Sequence, residues 1–164
     1  MKNLPSMDLN IRKAEERDLD GILALLYQVN DVHAAGRPDL FIRGCTKYNK
    51  EELMDIINHP KTPVFVGIGP EGELAGYCFC IVEDHAESNN LRPVKTLYID
   101  DLCVDEKQRG KHVGHTLYSF VKDYASANGF YNLTLNVWSC NPTAMKFYES
   151  LGMKPMKIGM EEIL

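Results

Sequence analysis

IDDLCVDEKQRGKHVG, at residues 99–114, is the most informative segment of this chain. It begins as an apolar strand, passes through a short loop and ends in a basic turn flanked by glycines. Apolar residues then repeat at helical spacing from Val113 to Tyr124, so the turn lies at the start of a helix. Free N–H groups and the helix dipole favour an anion there, typically a phosphate.

The bulk properties are those of one globular domain spanning residues 1–164. Hydrophobic residues make up 45% of the chain and charged residues 25%. The net charge of −5 argues against nucleic acid as the main partner, because phosphate backbones favour basic faces. An acidic protein suits a cationic substrate instead.

Cysteine usage and hydropathy predict a cytoplasmic protein. Five cysteines are an odd number without the spacing of a disulfide framework, which favours reduced thiols. No Cys or His pair has the spacing of a metal site, so no metal is expected. No apolar run approaches the length of a membrane span, and residues 1–7 are expected to be a frayed end rather than a targeting signal.

Local patterns predict a mixed α/β order with no internal repeat. The expected order is β-α-α-β-β-β-α-β-α-β. Asp18 and Asn49 are expected to cap the first two helices, with an irregular stretch from Asn30 to Thr46 between them. The predicted strands lie at residues 8–14, 64–68, 74–83, 95–104, 131–137 and 153–161.

A second segment, NPTAMKFYESLGM at residues 141–153, starts a helix in which Asn141 caps and Pro142 follows. Tyr148 shares a helix face with Ala144 and Leu151 and so points inward or towards a cleft. An aromatic at such a position is usually core packing. The segment that carries Tyr148 follows residues 99–114 at the spacing of one helix and one strand, and this combination favours a functional role for Tyr148.

Together the two segments resemble the GNAT superfamily of acetyl-CoA-dependent N-acetyltransferases. Residues 109–114 resemble the family's Gln/Arg-x-x-Gly-x-Gly/Ala signature, with His112 in place of the middle glycine. A side chain there is sterically compatible with a negative φ. Residues 141–153 resemble the Asn-x-x-Ala-x-x-Phe-Tyr-x-x-x-Gly-Phe pattern, with Met153 at the last position. The resemblance implies a single-domain GNAT fold, a central and mostly antiparallel sheet with a splayed parallel strand pair flanked by helices.

The resemblance also implies how acetyl-CoA binds. The strand backbone at residues 102–104 would pair with the pantetheine arm, which requires a splay from the strand at residues 131–137. Asn141 would lie beside this arm, either as a ligand or only as the helix cap. Backbone N–H groups in the turn would hold the pyrophosphate. The implied cofactor-binding residues are Leu102, Cys103, Val104, Arg109, Gly110, Lys111, His112, Val113, Gly114 and Asn141.

For catalysis, the resemblance implies that Tyr148 protonates the departing CoA thiolate and that a backbone N–H near Leu102 stabilises the oxyanion. The base is predicted at Asp101, because burial at the end of the strand raises a carboxyl pKa. Strand alternation is expected to place Asp100 and Asp101 on opposite faces, so only one faces the amine. A structural role for Asp101 and a base acting through water are the alternatives.

These assignments predict direct attack by a primary amine of a small molecule or peptide on acetyl-CoA in a ternary complex. One alternative is a ping-pong route through the Cys103 thiolate, although no His is placed to activate it. Another is a non-catalytic acyl-CoA-binding module, which His112 motivates.

Two further segments bear on the acceptor and on the assembly. Residues 32–41, VHAAGRPDLF, either contact the acceptor or form a self-ordering loop in which Arg37 pairs with Asp39. A homodimer is one assembly that the resemblance implies, with residues from Met153 onward as the pairing strand.

Overall fold

Five strands form one sheet in the computed structural model, which describes residues 8–164. They are β1 (Asn10–Lys13), β2 (Val64–Ile68), β3 (Leu74–Asp84), β4 (Lys95–Val104) and β5 (Asn132–Leu135), and they lie side by side in that order. Every neighbouring pair is antiparallel except β4 and β5, which are parallel. The predicted mixed sheet is therefore confirmed, whereas the frayed end predicted for residues 1–7 lies outside the described residues.

Four helices cover the two faces of the sheet. They are α1 (Leu19–Gly36), α2 (Lys50–Asn58), α3 (Val113–Ala127) and α4 (Pro142–Ser150), and short 3₁₀ turns lie at Glu16–Asp18 and Glu106–Gln108. Buried residues of α1 and α2 pack with Tyr77 and Phe79 on one face. Those of α3 pack with Leu97 and Ile99 on the other face, where Tyr148 of α4 joins them.

The structure corrects three local predictions. Helix α1 continues to Gly36, because no strong breaker precedes Gly36 and Pro38, so only residues 37–46 of the stretch expected to be irregular lack a helix. Asp18 does not cap it; its carboxylate instead accepts hydrogen bonds from Arg12. The strand predicted at residues 153–161 is absent, since the segment has no strand partner within residues 8–164. Its role in dimer pairing stays a prediction.

Strands β4 and β5 separate after four paired positions. Their pairing runs from Thr96 opposite Asn132 to Ile99 opposite Leu135, whereas β4 continues to Val104. Residues 102–104 therefore have a strand neighbour on the β3 side only. This is the splay that the predicted cofactor arm requires.

A β-bulge in β4 lies at the point where the splay begins. Phe79 of β3 is opposite Asp101, but the next residue, Cys80, is opposite Ile99, so Asp100 is an extra residue in β4. As a result Ile99 packs in the α3 core, whereas Cys103 packs in the α1 core. The prediction that Asp100 and Asp101 face opposite ways is wrong, because the bulge interrupts the alternation.

The cysteines are free thiols, with Cys78, Cys80 and Cys103 buried and the other two exposed. Cys78 and Cys80 share one face of β3, and their sulfur atoms lie 3.8 Å apart. Over residues 8–164, no helix has both the length and the apolar character that a membrane span needs.

Candidate active site

The Asp101 carboxyl lies just beyond the point where β4 and β5 separate, against the buried ring of Tyr77. The Tyr77 hydroxyl donates a 2.7 Å hydrogen bond to Asp101 Oδ2. Burial raises the pKa of Asp101 to about 6, although this hydrogen bond and the positive charge of Lys47 oppose the shift. The group therefore changes protonation state near neutral pH and is suited to accept a proton.

Asp100 points to the same side of the sheet but has its own partners. Lys47 Nζ lies 2.7 Å from its carboxylate, and the Tyr48 hydroxyl donates a 3.3 Å hydrogen bond to it. The Tyr48 ring stacks on Phe79 at 6.0 Å between centroids, which fixes this wall of the site. Asp100 is committed to an ion pair, so Asp101 is the better placed base.

Sequence reasoning missed Tyr77, Lys47 and Tyr48. One signal was present for Tyr77, because a tyrosine within an apolar strand needs a partner for its hydroxyl. Lys47 and Tyr48 lie in an irregular segment, where no periodicity reveals the direction of a side chain.

Tyr148 lies on α4 between two other aromatic rings. Its ring centroid is 6.4 Å from that of Tyr118 and 5.1 Å from that of Phe147. Within residues 8–164 its hydroxyl makes no hydrogen bond, and the oxygen is not sealed from solvent. Burial, together with the nearby charge of Asp101, raises the pKa of Tyr148 well above its ordinary value. The hydroxyl therefore keeps its proton and has no internal partner competing for it.

The turn before α3 presents unpaired backbone donors. Among the described residues, none accepts a hydrogen bond from the N–H groups at positions 112–115. Gly110 and His112 have φ angles of 78° and 61°, both in the left-handed region. His112 is the single non-glycine residue with positive φ in the described part of the chain. Its φ is not the negative value at which a side chain is readily accommodated; the histidine takes the conformation that a glycine would supply.

Close packing joins the two sequence segments. A Cβ on Gly114 would lie 3.2 Å from the Phe147 ring and 3.4 Å from a methyl group of Val104. The first turn of α3 therefore contacts both α4 and the splayed end of β4 directly. Asn141 accepts a 3.1 Å hydrogen bond from the Ala144 N–H, which confirms its role as a cap.

The basic side chains of the turn are exposed. Lys111 donates a 2.7 Å hydrogen bond to Gln108. The positive charge of Arg109 acts to lower the pKa of the Cys103 thiol. Cys103 itself is buried, with its sulfur 3.7 Å from the Leu25 carbonyl oxygen. Burial raises the pKa of Cys103 to about 12, so a thiolate is disfavoured and the ping-pong alternative loses support.

The last turn of α1 and the loop after it contribute to an aromatic wall. His33 lies 5.1 Å from Phe41, and Phe41 lies 5.5 Å from Trp138, measured between ring centroids. The expected pair between Arg37 and Asp39 is present, and contact of residues 32–41 with an acceptor stays a prediction. Sequence reasoning missed Trp138, which joins this wall from the segment after β5.

Comparison with known proteins gives one family match and similar solved structures. The model of the acetyltransferase (GNAT) family matches residues 27–153. The structure of a mutant BH1408 protein from Bacillus halodurans superimposes with a TM-score of 0.90 at 29% identity, covering 94% of this chain and 99% of that one.

Two further comparisons involve an enzyme from Arabidopsis thaliana. The crystal structure of its glucosamine-6-phosphate N-acetyltransferase has the same fold, with a TM-score of 0.69 at 24% identity over 94% of this chain and 97% of that one. In a sequence match, glucosamine 6-phosphate N-acetyltransferase from this plant is 32% identical over 68 residues. That match covers 42% of this chain and 44% of the relative, so it spans less than half of either.

Proposed function

The chain belongs to the GNAT acetyltransferase family, and from that membership we propose that it transfers the acetyl group of acetyl-CoA to a primary amine. The acceptor is a small molecule or a peptide that attacks directly in a ternary complex. Free cysteines further support a cytoplasmic location.

The separation of β4 from β5 after Ile99 is the observation that carries this proposal. It leaves the outer edge of residues 102–104 without a strand neighbour, so an extended amide-containing chain such as pantetheine fits there by strand-like pairing. The free N–H groups before α3 lie at the same end of β4, since Gly114 contacts Val104. They suit a pyrophosphate, with Arg109 and Lys111 adding positive charge.

Two side chains then have separate tasks. Asp101 takes the proton from the attacking amine, directly or through a water molecule, because its raised pKa matches neutral pH. Tyr148 donates a proton to the departing thiolate; its raised pKa keeps the hydroxyl protonated until that step. A backbone N–H near Leu102, on the unpaired edge of β4, stabilises the oxyanion.

The direct test is product formation by the purified protein. Acetyl-CoA is incubated with a panel of amino sugars, polyamines, amino acids and peptides, and both free thiol and N-acetylated product are measured. We expect both to appear in equal amounts with at least one amine. Binding of acetyl-CoA in a calorimeter without turnover across the panel would instead support the non-catalytic module.

Tyr148→Phe tests the acid. We expect kcat to fall about 100-fold, because general acid catalysis is typically worth that factor or more, while the acetyl-CoA affinity measured by calorimetry is unchanged. Tyr118→Phe is the matched control, since Tyr118 is a buried tyrosine beside Tyr148. An unchanged kcat in Tyr148→Phe across pH would exclude this role.

A further inference from the structure

Arg37 lies between two carboxylates just after the end of α1. Its Nε and Nη2 atoms donate to Asp39 at 3.0 and 2.8 Å. Its Nη1 and Nη2 atoms donate to Glu161 at 2.7 and 2.8 Å. The guanidinium carbon lies 5.9 Å from the centroid of the Trp138 ring. A guanidinium held against an aromatic ring, with paired bonds to carboxylates, is a geometry that recognises carboxylates specifically.

The two carboxylates are held very differently. Asp39 is two residues from Arg37 and belongs to the same loop. Glu161 comes from residues 154–164, which form no helix or strand and make no other hydrogen bond to the rest of residues 8–164. Its neighbours Ile158 and Met160 are 80% and 89% exposed, so apolar burial does not anchor this tail. An exposed ion pair contributes little by itself, and Glu161 is therefore the carboxylate that exchanges readily.

This carboxylate site adjoins the segment that diverges from β4. Trp138 lies three residues beyond Leu135, the last paired residue of β5. The end of α1 rests on the same segment, since a Cβ on Gly36 would lie only 2.8 Å from the sulfur of Cys140. The next residue, Asn141, caps α4, the helix that carries Tyr148.

On the other side of Arg37, a series of side chains connects the carboxylate site with Asp101, the proposed base. His33 lies one helical turn before Arg37 and contacts Phe41. Burial and the charge of Lys47 lower the pKa of His33, so Lys47 is within electrostatic reach of this wall. Lys47 in turn pairs with Asp100, the neighbour of Asp101.

We propose that Arg37 recognises a carboxylate on the acceptor and that Glu161 occupies its place in the unliganded protein. The inference rests on the proposed acetyl transfer and names its acceptor class, an amine that also carries a carboxylate. Asp39 remains as the permanent partner of Arg37, and one carboxylate replaces another, so the charge of the site does not change.

Trp138 provides a readout that does not depend on turnover, because it is the single tryptophan of the chain and lies against Arg37. Amino acids with the amine and carboxylate separated by one to five methylene groups are titrated, and fluorescence is recorded with and without CoA. The corresponding amino amides and O-phosphoethanolamine are the comparison ligands. We expect a saturable change for at least one amino acid and binding about tenfold weaker for its amide.

Variants then distinguish carboxylate recognition by Arg37 from a purely structural role, in which the Arg37–Glu161 pair only holds residues 154–164 in place. Glu161→Gln removes the competitor and is expected to tighten amino acid binding several-fold. Arg37→Lys and Arg37→Ala remove the planar fork and are expected to weaken binding about tenfold or more. Arg17→Ala is the control, since Arg17 is exposed and pairs with Glu15 before α1.

Opposite effects at Glu161 and Arg37 support the proposal. Weaker binding in both variants would show a latch that only holds the tail, and equal binding of acid and amide would exclude carboxylate recognition. Tighter binding of the phosphate than of any amino acid would overturn the assigned class. Fluorescence binding without any acetylated product would instead contradict the proposed function and leave the carboxylate site intact.

Discussion

At the scale of the residue, His112 occupies a conformation that is costly for any side chain. Its φ of 61° places Cβ close to the following carbonyl group, a cost of about 1–2 kcal/mol for an L-residue. The N–H groups of residues 113–115 are free because the first turn of a helix has no acceptors one turn earlier. The left-handed residue lies directly before them, at the point where the chain enters α3.

His112→Gly is expected to raise the free energy of unfolding by up to about 1 kcal/mol, since relief of strain outweighs the added freedom of the unfolded chain. Urea unfolding measures the change. The same substitution at His115, exposed within α3, is expected to lower it by about 0.5–1 kcal/mol. A loss of stability at both positions would contradict the strain argument.

Asp101 makes stability depend on pH in a defined direction. Its folded pKa of about 6 lies above the ordinary value near 4, so the folded state favours the protonated form. The stability this contributes is fully present below about pH 4 and is lost as pH rises through 6. Above pH 6 the folded protein carries a charge that burial disfavours.

Asp101→Asn removes that charge and keeps an acceptor for the Tyr77 hydroxyl. We expect its Tm, relative to wild type, to be higher at pH 8 than at pH 4.5 in thermal unfolding followed by circular dichroism. Asp100→Asn is the neighbouring control and is expected to lower Tm at pH 8, because Lys47 loses its partner. A pH-independent difference for Asp101→Asn would show that burial does not perturb this carboxyl.

At the scale of the element, the bulged β4 requires close approach from β3. A Cβ on Gly76 would lie 2.7 Å from the carbonyl oxygen of Cys103, a backbone atom that has little freedom to move. Gly76→Ala is therefore expected to cost about 1–3 kcal/mol in urea unfolding. Gly159→Ala, where no neighbour lies within 4 Å, is expected to change stability by less than about 0.5 kcal/mol. Equal effects would show that β3 and β4 tolerate a side chain between them.

Elements set by local chemistry were predictable from the sequence. Asn49 and Asn141 cap α2 and α4 as expected, because a cap depends on residues within one turn. The bulge at Asp100 was not predictable, since it is defined by the register against β3. Because of the bulge, Asp100 and Asp101 lie on the same side of the sheet and not on opposite sides as expected.

At the scale of the whole molecule, the site also combines features set by local sequence with contacts between residues that are distant in sequence. The positions of Tyr148, Asp101 and the basic turn follow from two short segments that resemble one family. Their partners are distant in sequence: Tyr77 lies 24 residues from Asp101, and Glu161 lies 124 residues from Arg37. Such contacts exist only once the sheet and tail are assembled, so no local pattern reveals them.

The fold brings three elements into one proposed acetyl-transfer site: the splayed end of β4, the turn before α3 and the helix α4. Gly114 of α3 packs against Phe147 of α4 and Val104 of β4, so the elements that carry Asp101, Tyr148 and the free N–H groups are in contact. In the proposed reaction Asp101, half-buried beside the bulge, removes the proton from the amine.

The most direct measurement is kcat/KM for an accepted amine between pH 5 and 9, at saturating acetyl-CoA, in wild type and Asp101→Asn. With Asp101 as the base, we expect a wild-type profile that rises with a midpoint near pH 6, as the carboxyl loses its proton. In Asp101→Asn this rise disappears and the rate at pH 7.5 falls about 100-fold, the usual effect of losing a general base. An Asp101→Asn profile with the wild-type rise and rate would contradict the account.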